Sequence, residues 1–252
     1  MTAALEIDFR GRCRQIGSAM KSLPNLLLAL VLVSVCTIQA KDVAAAHYIA
    51  PTAIDLKKLL PSPPADGSAE TKAEIDLILQ KQQARTPEEV ARIKSEVKIQ
   101  AFVFADLLGT WFAEKNLPLT AALFKNVDED AHPVIASGKA FWNRPRPPLQ
   151  DKRVQPPIDI PTNASYPSGH STVSELYAQI LAQLMPDLKD ELLQRGRLIG
   201  DDRVLAGVHF PSDVAAGKIL GDALFAKFMA SDAFQADLAK AKAEVAAARP
   251  KK

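Results

Sequence analysis

Three short segments carry residue types that can act together on an anion. The first, Lys139-Ala-Phe-Trp-Asn-Arg-Pro-Arg146-Pro147, has six residues between a lysine and an Arg-Pro pair. Lys139 falls on the last turns of a predicted helix, whereas Pro145 and Pro147 disfavour helix just before each of them, so Arg146 is held on a rigid extended turn. The second, Tyr166-Pro167-Ser168-Gly169-His170-Ser171, stands immediately before the apolar run Val173 to Leu184. A glycine at a helix start lets backbone N–H groups approach an anion closely, the helix dipole favours negative charge there, and Ser168 offers a hydroxyl donor. The third runs from Arg203 through His209 to Asp213. Pro211 suits the first turn of a new helix, which places His209 just ahead of it and Asp213 one turn in. That spacing lets the carboxylate accept a hydrogen bond from one ring nitrogen and aim the other outward, as an activated histidine nucleophile requires. Each segment also has an ordinary reading: solvated surface cations, a capped helix with a surface histidine, and a histidine capping a helix. The chain holds only four histidines, and two of them fall in these segments beside cations and a carboxylate, which makes chance assembly of all three improbable.

Together the segments closely resemble the phosphatidic acid phosphatase type 2 superfamily, and within it the class A bacterial non-specific acid phosphatases. The stretch Leu59-Leu-Pro-Ser-Pro-Pro64 and the tail from Ala233-Phe234-Gln235 are similar to that family's arm and final helix. The resemblance implies that Lys139, Arg146 and Arg203 bind phosphate oxygens and that Ser168 and Gly169 add donors. It further implies His170 as general acid, His209 as nucleophile and Asp213 as its orienting partner. No metal and no cofactor are implied; the expected partners are small-molecule phosphate esters, with an acidic optimum, inhibition by vanadate and assembly into homo-oligomers. Phosphoryl transfer is mostly positioning and stabilisation of charge on the equatorial oxygens, which three fixed cations and a helix N-terminus can supply. A two-step route through a phosphohistidine also permits transfer to an alcohol. Two other functions use the same residue set: a vanadate-dependent haloperoxidase, and a non-catalytic phosphate-binding helical protein. One departure stands out, since Asp202 occupies the position before Arg203 where the family usually has Ser. Asp202 is expected to point to solvent or to sit behind Arg203. Arg144, His132 and His47 are expected on the surface.

The elements that must position these groups read as helices throughout, so the expected fold is all-α, a single-domain helical bundle with an extended Pro-rich N-terminal arm. Thr86-Pro87-Glu88-Glu89 combines an N-cap, a proline at the first helical position and a capping-box glutamate. The recurrence of Val90, Ile93, Val97, Ala101, Phe104, Leu108 and Phe112 predicts one long helix after it. Further helices are expected over 119–143, 168–185, 187–207 and 211–229, and an Ala- and Lys-rich helix from Ser231 is expected to lie solvated on the surface. Residues 41–69, with Pro51, Pro61, Pro63 and Pro64, form the arm, and 70–252 the helical domain.

The apolar run Leu23 to Val35, preceded by cations and followed by small residues to Ala40, has the layout of a secretory signal peptide over 1–40, with Met20 as an alternative start and the periplasm as destination. The run is shorter than the roughly 20 apolar residues of a spanning helix, so no stable membrane insertion is expected after leader removal. Both cysteines, Cys13 and Cys36, lie in this leader. The formal charge of +2 also resides there, and the balanced remainder excludes nucleic acid and anionic membrane surfaces as main partners.

Overall fold

The computed structural model describes residues 46–250, so the predicted leader lies outside the described residues. Ten α-helices occur among them: α1 (Leu56–Leu59), α2 (Ala69–Ala84), α3 (Pro87–Ser95), α4 (Ala105–Leu108), α5 (Pro118–Trp142), α6 (Pro147–Gln150), α7 (Gly169–Leu184), α8 (Lys189–Leu205), α9 (Pro211–Met229) and α10 (Asp232–Ala248). No strand is present among the described residues. The all-α bundle inferred from the sequence is therefore the fold observed, and none of these helices is long and apolar enough to cross a membrane.

α7 is the axis of the bundle. Twelve of its sixteen residues are buried, because α8 and α9 pack on adjacent faces that share Ser171 while α5 and α10 also pack against it. Small residues permit this close packing. A Cβ on Gly217 of α9 would come within 2.6 Å of the Ser168 carbonyl oxygen, and one on Gly196 of α8 within 2.7 Å of the Ser174 carbonyl oxygen. Backbone contact at this range locks the start of α7 against α9, and the three motif segments meet at that junction.

The capping box at the start of α3 forms as its sequence requires, with the Thr86 amide donating to Glu89 at 2.8 Å and the Glu89 amide donating to Thr86 at 3.3 Å. The single long helix expected after it does not form. The chain leaves helical geometry at Glu96 and continues through a 3-10 turn (Ala101–Phe104) into the short α4. The cause lies in the site: the Glu96 carbonyl, which a continued helix would give to the amide of residue 100, accepts instead from the His170 ring at 3.1 Å. Ala101, Phe104 and Phe112 still reach the core, but from turns.

α10 is not a solvated surface helix. Phe234, Leu238, Ala241 and Val245 bury one face of it against α5, α7 and α9. Its Glu244 accepts from the Leu119 and Thr120 amides at 2.9 and 2.8 Å, satisfying first-turn donors of α5 that have no side-chain cap of their own. The arm is fastened by the buried Asp130 of α5, whose carboxylate accepts the consecutive amides of His47, Tyr48 and Ile49 at 3.0, 2.7 and 3.0 Å. The arm's His47 is half-exposed, and its ring is fixed to Glu129 at 2.7 Å.

Candidate active site

The three segments converge on one small cavity lined by Lys139, Arg146, Gly169, His170, Arg203 and His209, with Val97, Asn163 and a few neighbours completing its wall. Each arrives from a helix end. Lys139 lies one turn from the end of α5, which Asn143 closes in the left-handed region at φ +42°. Arg146 precedes α6, Ser168 caps α7, and Gly169 and His170 form its first turn. Arg203 ends α8. The turn to His209 passes through Gly207 at φ +76°, where a Cβ would also meet Val154 at 2.8 Å, so only glycine fits. At Gly169, by contrast, an added Cβ would meet protein no nearer than 3.7 Å. Packing does not demand this glycine, whose bare backbone faces the cavity.

The hydrogen-bond network fixes the tautomers of both histidines. Arg146 Nη1 lies 3.2 Å from His209 Nε2, and a guanidinium can only donate, so Nε2 carries the lone pair and Nδ1 the hydrogen. Nδ1 faces Asp213 Oδ2 and the Ser165 hydroxyl, both at 3.3 Å. Burial, reinforced by the charges of Arg146 and Lys139, lowers the His209 pKa to about 3 against the opposing pull of Asp213. At His170, Nε2 donates to the Glu96 carbonyl, which leaves Nδ1 free for another partner. Burial and the nearby Arg203 charge lower its pKa to about 4.

Asp213 is fully buried and held from four directions. Arg144 donates to Oδ1 at 2.7 Å, while the Phe210 amide at 2.9 Å, the Ser165 hydroxyl at 2.5 Å and His209 address Oδ2. Burial alone would raise its pKa, but the His209 hydrogen bond and the charges of His209 and Arg144 hold it down to about 2. Arg144 is thus no surface residue. It is 3% exposed, donates also to Ser212 and Glu74, and stacks 3.8 Å over the Phe210 ring. Its flat fork serves three acceptors at once, which a solvated cation would not.

The three cations facing the cavity differ in how fully the chain satisfies them. Lys139 donates to the Ala164 carbonyl at 2.6 Å, and burial with the Arg146 charge lowers its pKa to about 7. Arg146 is spanned by Asn163, whose carbonyl and side-chain oxygens accept at 2.9 and 2.6 Å, and by the Val208 carbonyl at 2.7 Å. Burial lowers its pKa to about 10. Arg203 is 1% exposed, and its Nε and Nη1 have no hydrogen-bond partner; only Nη2 is held, by Glu96 at 2.9 Å and weakly by the Ile93 carbonyl at 3.4 Å. A buried guanidinium with donors left over is expensive unless an anion completes it.

Glu96 is the residue that the sequence did not announce. Its carboxylate is buried between Arg203 and Arg195; the Arg195 contact, at 2.6 Å, is an ion pair off hydrogen-bond alignment. The one residue therefore grips a cavity cation through its side chain and His170 through its backbone. Asn163, Ser165 and Arg195 also escaped notice, since a lone polar residue in a loop or helix has no distinguishing spacing. Asp202 is turned away from solvent, at 1% exposure, and forms a two-pronged pair with Arg92 at 2.7 and 2.8 Å. Ser168 does not line the cavity; its Oγ accepts from the Ser171 amide at 3.3 Å as an N-cap. His132 remains on the helix surface.

The sequence profile of the PAP2 superfamily matches residues 120–235, a stretch that contains every one of the predicted site residues. A non-specific acid phosphatase of Providencia stuartii is 30% identical over 203 residues, covering 77% of this chain and 82% of that protein. The chain belongs to the PAP2 superfamily. Within it the relatives at 30–36% identity that bear the name acid phosphatase make it a class A-like member. The match to the non-specific acid phosphatase of Salmonella typhimurium is 35% identical over 150 residues and spans 58% of this chain and 60% of that protein. Among solved structures, a transmembrane PAP2-type phosphatidylglycerolphosphate phosphatase from Bacillus subtilis superposes with a TM-score of 0.44 at 21% identity, over 63% of this chain and 84% of that one.

Proposed function

We propose that the protein is an acid phosphatase that hydrolyses phosphate monoesters through a phosphohistidine on His209. The observation that carries this reading is the state of His209: neutral, its hydrogen on Nδ1 toward Asp213, and the lone pair of Nε2 turned to a cavity where Arg203 has unsatisfied donors. Sequestering an anion needs donors only; it does not need an oriented imidazole lone pair.

In the first step Nε2 attacks phosphorus in line and the phosphorus–ester oxygen bond breaks. Arg203, Arg146, Lys139 and the Gly169 amide carry the charge on the three remaining oxygens. His170 gives the departing alkoxide a proton. With Nε2–H committed to the Glu96 carbonyl, Nδ1 is the atom that carries it. Asp213 balances the positive charge that develops on the phosphorylated ring. In the second step a water oxygen attacks phosphorus, its proton returns to His170, and the phosphorus–nitrogen bond breaks with its electron pair restored to Nε2. An alcohol in place of water gives phosphotransfer. The depressed His170 pKa gives this chemistry an acidic preference, because the first step needs that ring protonated. The leader-like segment over 1–40 supports export to the periplasm, which cell fractionation reads directly.

The deciding experiment is hydrolysis of an aryl phosphate in excess chelator by the wild type and by His209→Ala. We expect metal-independent turnover that the variant lacks, and a phosphoryl group trapped on His209 by acid quench. Turnover surviving in the variant, or dependent on added metal, would overturn the mechanism.

A further inference from the structure

The cavity that holds both histidines has a volume of about 120 Å³, well under the roughly 300–1,000 Å³ of sites that enclose drug-sized ligands. A phosphate group fills much of that space, so the alcohol that accompanies it is short or lies across the rim.

The rim has a distinct chemistry. Val97, 48% exposed, with Ile158 and Pro161, presents apolar surface to the cavity. The polar Asn163 has its carbonyl and side-chain oxygens already engaged by Arg146. The rim's one charged side chain is the exposed Asp159, a carboxylate beside a cavity otherwise built for an anion. Every other carboxylate next to the site is paired with an arginine: Glu74 and Asp213 with Arg144, Glu96 with Arg195 and Arg203, Asp202 with Arg92. Asp159 makes no hydrogen bond or ion pair with any described residue.

Resting on the phosphatase reading above, we infer that the site selects phosphate monoesters of short alcohols that carry a cationic nitrogen, with Asp159 as the residue that receives the cation. With Arg203 already paired to Glu96, a bound phosphate dianion balances Lys139 and Arg146, so Asp159 is the charge left at the rim. A two-carbon spacer with an ammonium or trimethylammonium group fits the remaining volume, its methylenes or methyls against Val97 and Ile158. The same carboxylate repels a substrate bearing a second anion next to the ester, such as a diphosphate or a carboxylated alcohol. The carboxylate is exposed, so the pairing is worth about 1.5- to fivefold in kcat/KM at low salt and is screened as salt rises.

The test compares phosphocholine with its uncharged isostere, 3,3-dimethylbutyl phosphate, and with anionic phosphoglycolate, on wild type and Asp159→Asn, each rate normalised to that protein's own aryl phosphate rate. The expected result is a preference of the wild type for phosphocholine over the isostere of about 1.5- to fivefold, phosphoglycolate last, and a ratio near one in Asp159→Asn. A wild-type ratio at or below one, or a ratio unchanged in the variant, would overturn the inference while leaving the phosphatase intact. If the wild type turns over no ester, the phosphatase reading falls. Calorimetric affinities of phosphocholine and its isostere then decide the selectivity alone, with equal affinities overturning it.

Discussion

Replacing Glu96 with Gln keeps the shape of the side chain and removes one buried negative charge. That charge lies 2.6 Å from Arg195 and 2.9 Å from Arg203. Arg195 keeps Asp106 at 2.8 Å, whereas Arg203 keeps only the Ile93 carbonyl at 3.4 Å. Removing one partner of a buried pair costs about 3–5 kcal/mol, because the other charge stays buried without compensation. Burial by itself raises the Glu96 pKa, and the two guanidiniums work against that push. Part of the pair's attraction is thus already spent on keeping the carboxylate ionised, so the lower end, about 3 kcal/mol, is expected. For a chain of this size that lowers Tm by about 6–12 °C. Inorganic phosphate supplies the negative partner that Arg203 has lost, so millimolar phosphate must raise the Tm of the variant by more than that of the wild type. Scanning calorimetry of both proteins with and without phosphate measures this. A fall under about 3 °C, or an equal rise with phosphate in both, would refute the account of Arg203 as a cation held in place by Glu96.

Arg144→Met leaves the buried Asp213 and the partly buried Glu74 without their shared cation, at a cost of about 3–5 kcal/mol read as a lower urea midpoint. The Arg144 charge is one cause that holds the Asp213 pKa near 2; its loss moves the acidic limb of the pH–rate profile upward, and an unmoved limb would count against that role. The protein should also lose stability on acidification. His170 and His209 have folded pKa values of about 4 and about 3 against 6.5 ordinarily. Between 6.5 and 4 the unfolded chain takes up protons that the folded chain refuses, so the stability present above 6.5 drains away by up to about 1.4 kcal/mol per pH unit for each ring. Urea midpoints at pH 7 and pH 5 compare the two, and equal midpoints would show that the rings are not buried neutral.

The site was legible in sequence where spacing and type coincide. Arg146, Gly169, His170 and His209 were legible because each is, or lies within two residues of, the proline or glycine that opens a helix, Pro147, Gly169 or Pro211, and such punctuation survives in a linear reading; Lys139 and Arg203 were legible through their spacing to these segments. Helices α5, α7, α8 and α9 were legible for the same reason. What failed was everything decided by a partner distant in sequence. The periodic stripe Val90 to Phe112 fits a long helix, and nothing local reveals that His170 claims the Glu96 carbonyl 74 residues away. Arg144 looked like a surface cation because its three acceptors, Glu74, Ser212 and Asp213, stand about 70 residues off on either side. The alanine face of α10 reads as polar surface until Phe234 and Leu238 are seen against α5 and α9.

Those distant partners also explain how the proposed chemistry stays quiet without substrate. Arg146 Nη1 donates to His209 Nε2, which engages the lone pair that attacks phosphorus in the proposed mechanism. Burial, and after it the charges of Arg203 and Arg146, lower the His170 pKa to about 4 and so keep the ring unprotonated, and unable to act as an acid, above that pH. In the proposed mechanism a phosphate dianion draws the donors of Arg146 onto its own oxygens, which frees Nε2, and its negative charge offsets the part of the His170 depression that comes from Arg203 and Arg146, which raises that pKa. On that mechanism the ion that binds also arms both histidines, and the unpartnered Nε and Nη1 of Arg203 are donors open to it.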